Sequence, residues 1–89
     1  MKYEWDEDKR ARNIFVHGVD FTKIETFDWA TCLTVPDQRF EEARYFSLGL
    51  VEQRLYAVVY TIRGTTMRLI SLRKANKREV RNYENYRTD

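Results

Sequence analysis

Apolar positions recur at helical spacing in the first third of the chain and at strand spacing beyond it. Tyr3 to Trp5 reads as a short strand, and Asp6 is placed to cap a helix whose acidic Glu7 and Asp8 suit its dipole. Ala11, Ile14 and Phe15 give that helix one apolar face. Gly18 then supplies the left-handed residue that ends it and puts His17 in the last turn. A second start follows at once, because Thr22 and Glu25 have the spacing of a capping box, launching a short helix that carries Ile24 and Phe27.

Beyond Leu33 the period changes. Leu33 to Val35 precedes Pro36-Asp37, a turn or edge feature, and Arg44 to Leu50 reads as a strand in which Gly49 marks a bulge. Leu55 to Ile62 is apolar on both faces, as a central strand requires. Tyr56, Val58, Tyr60 and Ile62 fall on one face, and Leu55, Ala57 and Val59 on the other. Gly64 turns the chain into a last strand, Met67 to Leu72. A basic helix from Lys77 to Tyr86 closes the sequence, capped by Asn76 with Glu79 three residues on. Its apolar side is thin, only Val80, Tyr83 and Tyr86, so it should dock weakly.

This order predicts an α+β fold: an antiparallel sheet of three to four strands packed against two N-terminal helices, with a basic C-terminal helix. The helices should cover one sheet face and leave the other to tyrosines and arginines. With 89 residues the chain is expected to form a single domain, 1–89, since so short a chain buries only about 60 to 65% of its unfolded surface and cannot divide that core.

Composition adds a location and a charge. Hydrophobic residues at 43% and charged residues at 34% suit a packed core under a charged surface. No apolar run nears the roughly 18 residues that span a bilayer, and the start lacks a signal-peptide core, so the chain is expected to be cytoplasmic with no membrane partner. The lone Cys32 is expected to pack as a small hydrophobe. The net charge of +2 hides an asymmetry: residues 1–62 hold eight Lys or Arg against eleven Asp or Glu, and residues 63–89 hold eight against three. Such clustering points to an anionic partner, because basic side chains gain by releasing counterions from a phosphate backbone.

The chain has no Gly-rich phosphate loop, no cysteine pair and one histidine, so neither a metal site nor a cofactor is expected. What remains is Arg63, Arg68 and Arg73 on or beside the last hairpin, with Lys74, Lys77, Arg78, Arg81 and Tyr83 behind them as candidate RNA contacts. A guanidinium fork holds two phosphate oxygens and stabilises the charge that develops when a ribose 2′-hydroxyl attacks its phosphodiester. Base and acid for that reaction are open among His17, Lys9, Glu4, Glu42 and Tyr83. With Gly64-Thr65 as a two-residue turn, Arg63 and Arg68 share a face and Arg73 takes the other; a three-residue loop reverses this. In either case Arg73 lies roughly 20 Å from the turn, so it does not share a phosphate with Arg63. The enzymatic expectation is that the hairpin and terminal-helix guanidinium groups converge on one hollow.

The run Tyr3-Glu4-Trp5-Asp6, Lys9, Asn13, His17-Gly18-Val19, Phe21, followed by Val58-Val59-Tyr60-Thr61, Arg63 and Arg68, resembles BrnT-type toxins. So do Ile70-Ser71, Arg73-Lys74-Ala75, Arg78-Glu79 and Tyr83-Glu84, and the resemblance spans almost the whole chain. It implies a RelE-like fold and a metal-independent ribonuclease that inhibits translation. It also implies a BrnA-type antitoxin that binds both the toxin and operator DNA, with RNA, including ribosome-associated mRNA, as substrate. By position, Arg73 is implied as the leading catalytic group, with Arg63, Lys9 and His17 beside it. The competing reading is a non-catalytic RNA-binding or protein-interaction module. Direct reading of DNA is disfavoured by the lack of a helix-turn-helix pattern.

Overall fold

Asp6 starts the first helix as its sequence position requires: its side chain accepts from the backbone N–H groups of Asp8 and Lys9, and the helix α1, Glu7–His17, ends on Gly18 at φ 71°. The computed structural model describes residues 1–38 and 41–88. Around α1 the chain runs β1 (Lys2–Glu4), a 3-10 helix (Phe21–Thr26), β2 (Leu33–Asp37), β3 (Arg44–Val51), β4 (Arg54–Arg63), β5 (Thr66–Lys74) and α2 (Lys77–Thr88). The sheet has five strands in the order β1-β5-β4-β3-β2. The expected three or four antiparallel strands become five, because β1 joins as a parallel edge strand against Thr66–Arg68 and β2 closes the other edge. Pro36 lies within β2, where an edge strand tolerates its missing N–H.

Two further expectations are corrected. The second helix is a 3-10 turn capped by Asp20, whose carboxylate accepts from Thr22 N–H, so Thr22 lies inside the element and does not cap it. And α1 turns its apolar residues outward. Phe15 is 90% exposed, and Ala11, Ile14 and Val16 also face solvent, while the buried residue is Asn13. The core beneath is built by Val19, Phe21, Ile24 and Phe27 against Tyr56, Val58, Tyr60, Met67, Leu69 and Leu72, with Cys32 half-buried at its margin. The sheet tyrosines Tyr45, Tyr56 and Tyr60 therefore line the covered face. On the opposite face a smaller cluster, Leu48, Leu55, Ala57, Ala75 and Tyr83, seats α2.

The irregularity expected at Gly49 lies elsewhere. Gly49 pairs regularly with Tyr56, and its missing side chain admits the Phe27 ring: a Cβ there would meet Phe27 Cζ at 2.4 Å. The bulge is in β5. Val59 opposes Ser71 while Tyr60 opposes Leu69, which leaves Ile70 as the extra residue. Its cause is legible afterwards in the spacing of Leu69 and Leu72, both fully buried and three residues apart, which a regular strand would send to opposite faces.

Candidate functional site

The bulge decides where the basic side chains point. The hairpin closes through the two-residue turn Gly64-Thr65, with Arg63 opposite Thr66 and Thr61 opposite Arg68. By alternation alone Arg73 would then leave the face of Arg63 and Arg68. The extra residue restores it: Arg68, Ser71 and Arg73 oppose Thr61, Val59 and Ala57, alternate residues of β4 and so one face of the sheet. This corrects the expectation attached to a two-residue turn, that Arg73 takes the other side.

The guanidinium groups nevertheless do not converge. Arg63 pairs with Glu42 at 3.2 Å near the turn, Arg68 with Glu4 of β1, and Arg73 with Glu79 of α2. The hollow that exists is made differently. α1 runs along the outer edge of β5 where β1 stops, and between them lies a cavity of about 540 Å³. Lys9, Arg12, Val16 and His17 line it from the helix, and Ile70 and Ser71 from the bulge. Among the described residues, neither Lys9 nor Arg12 has an ion-pair partner, and Asp8 is the only carboxylate in the lining. Asn13 forms the floor: its amide donates to Leu72 O at 2.7 Å and Val19 O at 2.9 Å, and its Oδ1 accepts from Leu72 N–H at 3.1 Å.

A second hollow, about 640 Å³, flanks α2 and is lined by Arg54, Lys77, Val80, Arg81 and Glu84 beside Ala75. The same face thus runs from Ser71 in the first hollow, through Arg73, to Ala75 in the second, one residue past the end of β5. At about 3.3 Å per residue this track is roughly 13 Å long. Arg73 in its middle is held on two sides. Nη1 and Nη2 donate to the two Glu79 carboxylate oxygens at 2.8 and 2.9 Å, and Nη1 also donates to Lys74 O at 3.3 Å. Of its five N–H donors, Nε–H and one hydrogen of Nη2 stay unused, the side-on edge that grips two oxygens of a phosphate. The paired carboxylate raises the guanidinium's pKa above its ordinary value, while hydrogen bonding to Arg73 lowers that of Glu79.

The structure therefore brings together Lys9 with His17, and Lys77 with Arg81, on either side of Arg73. It does not bring in Arg63, which sits six β4 residues from the position opposite Arg73. Lys74 opposes Tyr56 and points to the other face, lining a separate hollow with Lys23. Arg78 is exposed on α2 outside both hollows. Tyr83 is 8% exposed and its hydroxyl donates to Thr31 O at 3.1 Å, so its side chain anchors α2. Arg12, Ser71 and Arg54 are not among the candidate site residues that the sequence offers, although Ser71 belongs to the family-like block. Arg12 was findable, since positions 9, 12, 13 and 16 form one helical stripe; Ser71 required knowing the bulge.

Among the described residues, no helix is long and apolar enough to cross a membrane, and no three His, Cys, Asp or Glu side chains gather where they could hold a metal ion. Residues 5–79 match the family described as "Ribonuclease toxin, BrnT, of type II toxin-antitoxin system". The fold is similar to the crystal structure of the Brucella abortus ribonuclease toxin BrnT, at 31% identity and a TM-score of 0.72, over 86% of this chain and 99% of that one. No curated protein sequence matches significantly.

Proposed function

The chain belongs to the BrnT family of ribonuclease toxins of type II toxin-antitoxin systems, and from that premise we propose that it cleaves RNA along the C-terminal half of β5. The observation that carries this reading is the basic track of Lys9 and His17, then Arg73, then Lys77 and Arg81, along one edge of one sheet face. A phosphodiester seated beside Ser71 meets the free side-on edge of Arg73, which stabilises the charge built up as the 2′-hydroxyl attacks. Lys9 and His17, eight residues apart and so about 12 Å along the helix axis, reach the phosphorus from opposite ends. In-line displacement needs that geometry: one group takes the proton of the 2′-hydroxyl and the other gives one to the departing 5′-oxygen. The cations do the electrostatic work, so the reaction is metal-independent. Arg68 and Arg78 hold flanking backbone, and Arg63 and Lys74 lie off the track.

In this reading the chain is one toxin domain of RelE-like fold. It acts in the cytoplasm to inhibit translation and is silenced by a BrnA-type antitoxin that also binds operator DNA. The test is cleavage of RNA in EDTA, free and on programmed ribosomes, by the protein and two variants. Arg73→Ala should lower kcat/KM by about 10² to 10³, the usual effect of removing one charge-stabilising donor. Arg63→Ala should stay within about threefold, below the 1.4 kcal/mol that a tenfold change represents. Absence of cleavage in both settings, or equal toxicity of Arg73→Ala in cells, would leave a non-catalytic RNA-binding or interaction module.

A further inference from the structure

Phe15 is 90% exposed and Val16 58%, neighbours on the side of α1 that runs from solvent to the hollow, while Ile14, 39% exposed, lies on the opposite flank of the helix. A helix whose apolar residues face solvent, while its buried position is an asparagine, is built to be covered by something else. Val16 also lines the hollow of Lys9, Arg12 and His17, so the apolar patch and the unpaired cations form one continuous surface. Resting on the function proposed above, we infer that this surface docks the antitoxin. An acidic segment of it enters the hollow against Lys9 and Arg12, and an apolar side chain caps Phe15 and Val16.

Charge and shape select that occupant. Lys9 and Arg12 have no carboxylate partner among the described residues, whereas Arg10, which lies between them in sequence, is engaged by both Glu7 and Asp20. The free pair is complementary to carboxylates of a protein chain as well as to phosphates of RNA. The aliphatic neighbour Val16 decides between them. A nucleobase would stack on Phe15 alone and leave Val16 wet, while a protein segment covers both, and an aromatic anchor inside a ring of weaker contacts is where binding energy concentrates. Neutralisation is then direct competition, because the acidic segment lies where the scissile phosphate would.

The experiment uses the purified toxin and its purified cognate antitoxin, with affinity measured at two salt concentrations and RNA cleavage by the free toxin measured in parallel. Phe15→Ser, checked by thermal unfolding, should weaken antitoxin binding about 30-fold or more, as loss of a hot-spot residue does. Its cleavage rate should stay within about twofold and its salt dependence should be unchanged. Arg12→Glu should weaken binding and flatten the salt dependence. Binding of Phe15→Ser within threefold of the unaltered toxin overturns the inference. So does loss of cleavage with affinity retained, which would give Phe15 to an RNA base. If the toxin cleaves no RNA yet Phe15→Ser still loses the antitoxin, the docking surface stands and the catalytic reading falls.

Discussion

One amide stands in for a missing strand. β1 supplies partners for β5 only as far as Arg68, and beyond it the Asn13 side chain pairs with both the N–H and the C=O of Leu72 while also reaching Val19 O. All of these groups are buried, so removing the amide leaves backbone donors and acceptors without water or partner. Asn13→Ala should cost about 2 to 4 kcal/mol in urea unfolding, the sum expected for more than one stranded buried polar group. Asn13→Asp should do no better, because it keeps the acceptor and loses both donor bonds. A loss under 1 kcal/mol for either would mean that solvent or a backbone shift satisfies Leu72. The sequence concealed this role. Helical periodicity assigns the inward face to apolar residues, and Ala11, Ile14 and Phe15 obeyed the pattern while facing solvent. The position that carried the contact was polar, and only the partner's exposed strand edge explains why.

At the scale of elements, the legible features were those fixed by local chemistry. Asp6, Gly18, and Asn76 with Glu79 each act within a few residues of chain and each was readable, as was the place of the turn at Gly64, though not its length. What long-range pairing decides was not: the parallel placement of β1, the bulge at Ile70, and with it the face of Arg73. Gly49 belongs to the same class. It reads as a strand irregularity, yet the strand there is regular, and the glycine exists because the Phe27 ring lies against β3. Gly49→Ala should therefore destabilise by about 1 to 3 kcal/mol through overpacking, a penalty that depends on the ring. Pairing it with Phe27→Leu should recover part of that loss in a double-mutant cycle. Equal penalties with Phe and with Leu at position 27 would assign the cost to the backbone of β3 instead.

Across the whole molecule, two charged clamps fix the helices near the two ends of the chain, one tying α1 to the cap of the 3-10 helix and the other tying α2 to β5. Arg10 on α1 grips Asp20 before the 3-10 helix through Nε at 2.9 Å and Nη2 at 2.7 Å, and Arg73 on β5 grips Glu79 on α2. Hydrogen bonding to Arg10, helped by Thr22 N–H, holds the Asp20 carboxyl well below the usual carboxylate range; Arg73, helped by Asn76 N–H, lowers Glu79. Groups depressed on folding bind their proton more weakly in the folded than in the unfolded chain. Their stabilisation is thus complete above the unfolded value, near 4, and is lost as pH falls through the lower folded values. Tm should be insensitive to these two carboxylates from about pH 8 to 5 and should fall below about pH 4.5. Glu79→Gln should lower Tm at neutral pH and narrow its gap to the unaltered protein as the buffer is acidified, since both then lack the charge. Melting curves that stay parallel down to pH 3 would show that the Arg73 clamp adds nothing to acid stability. α2 would then rest on Tyr83 and Val80 alone, and the fixed orientation of Arg73 would need another support.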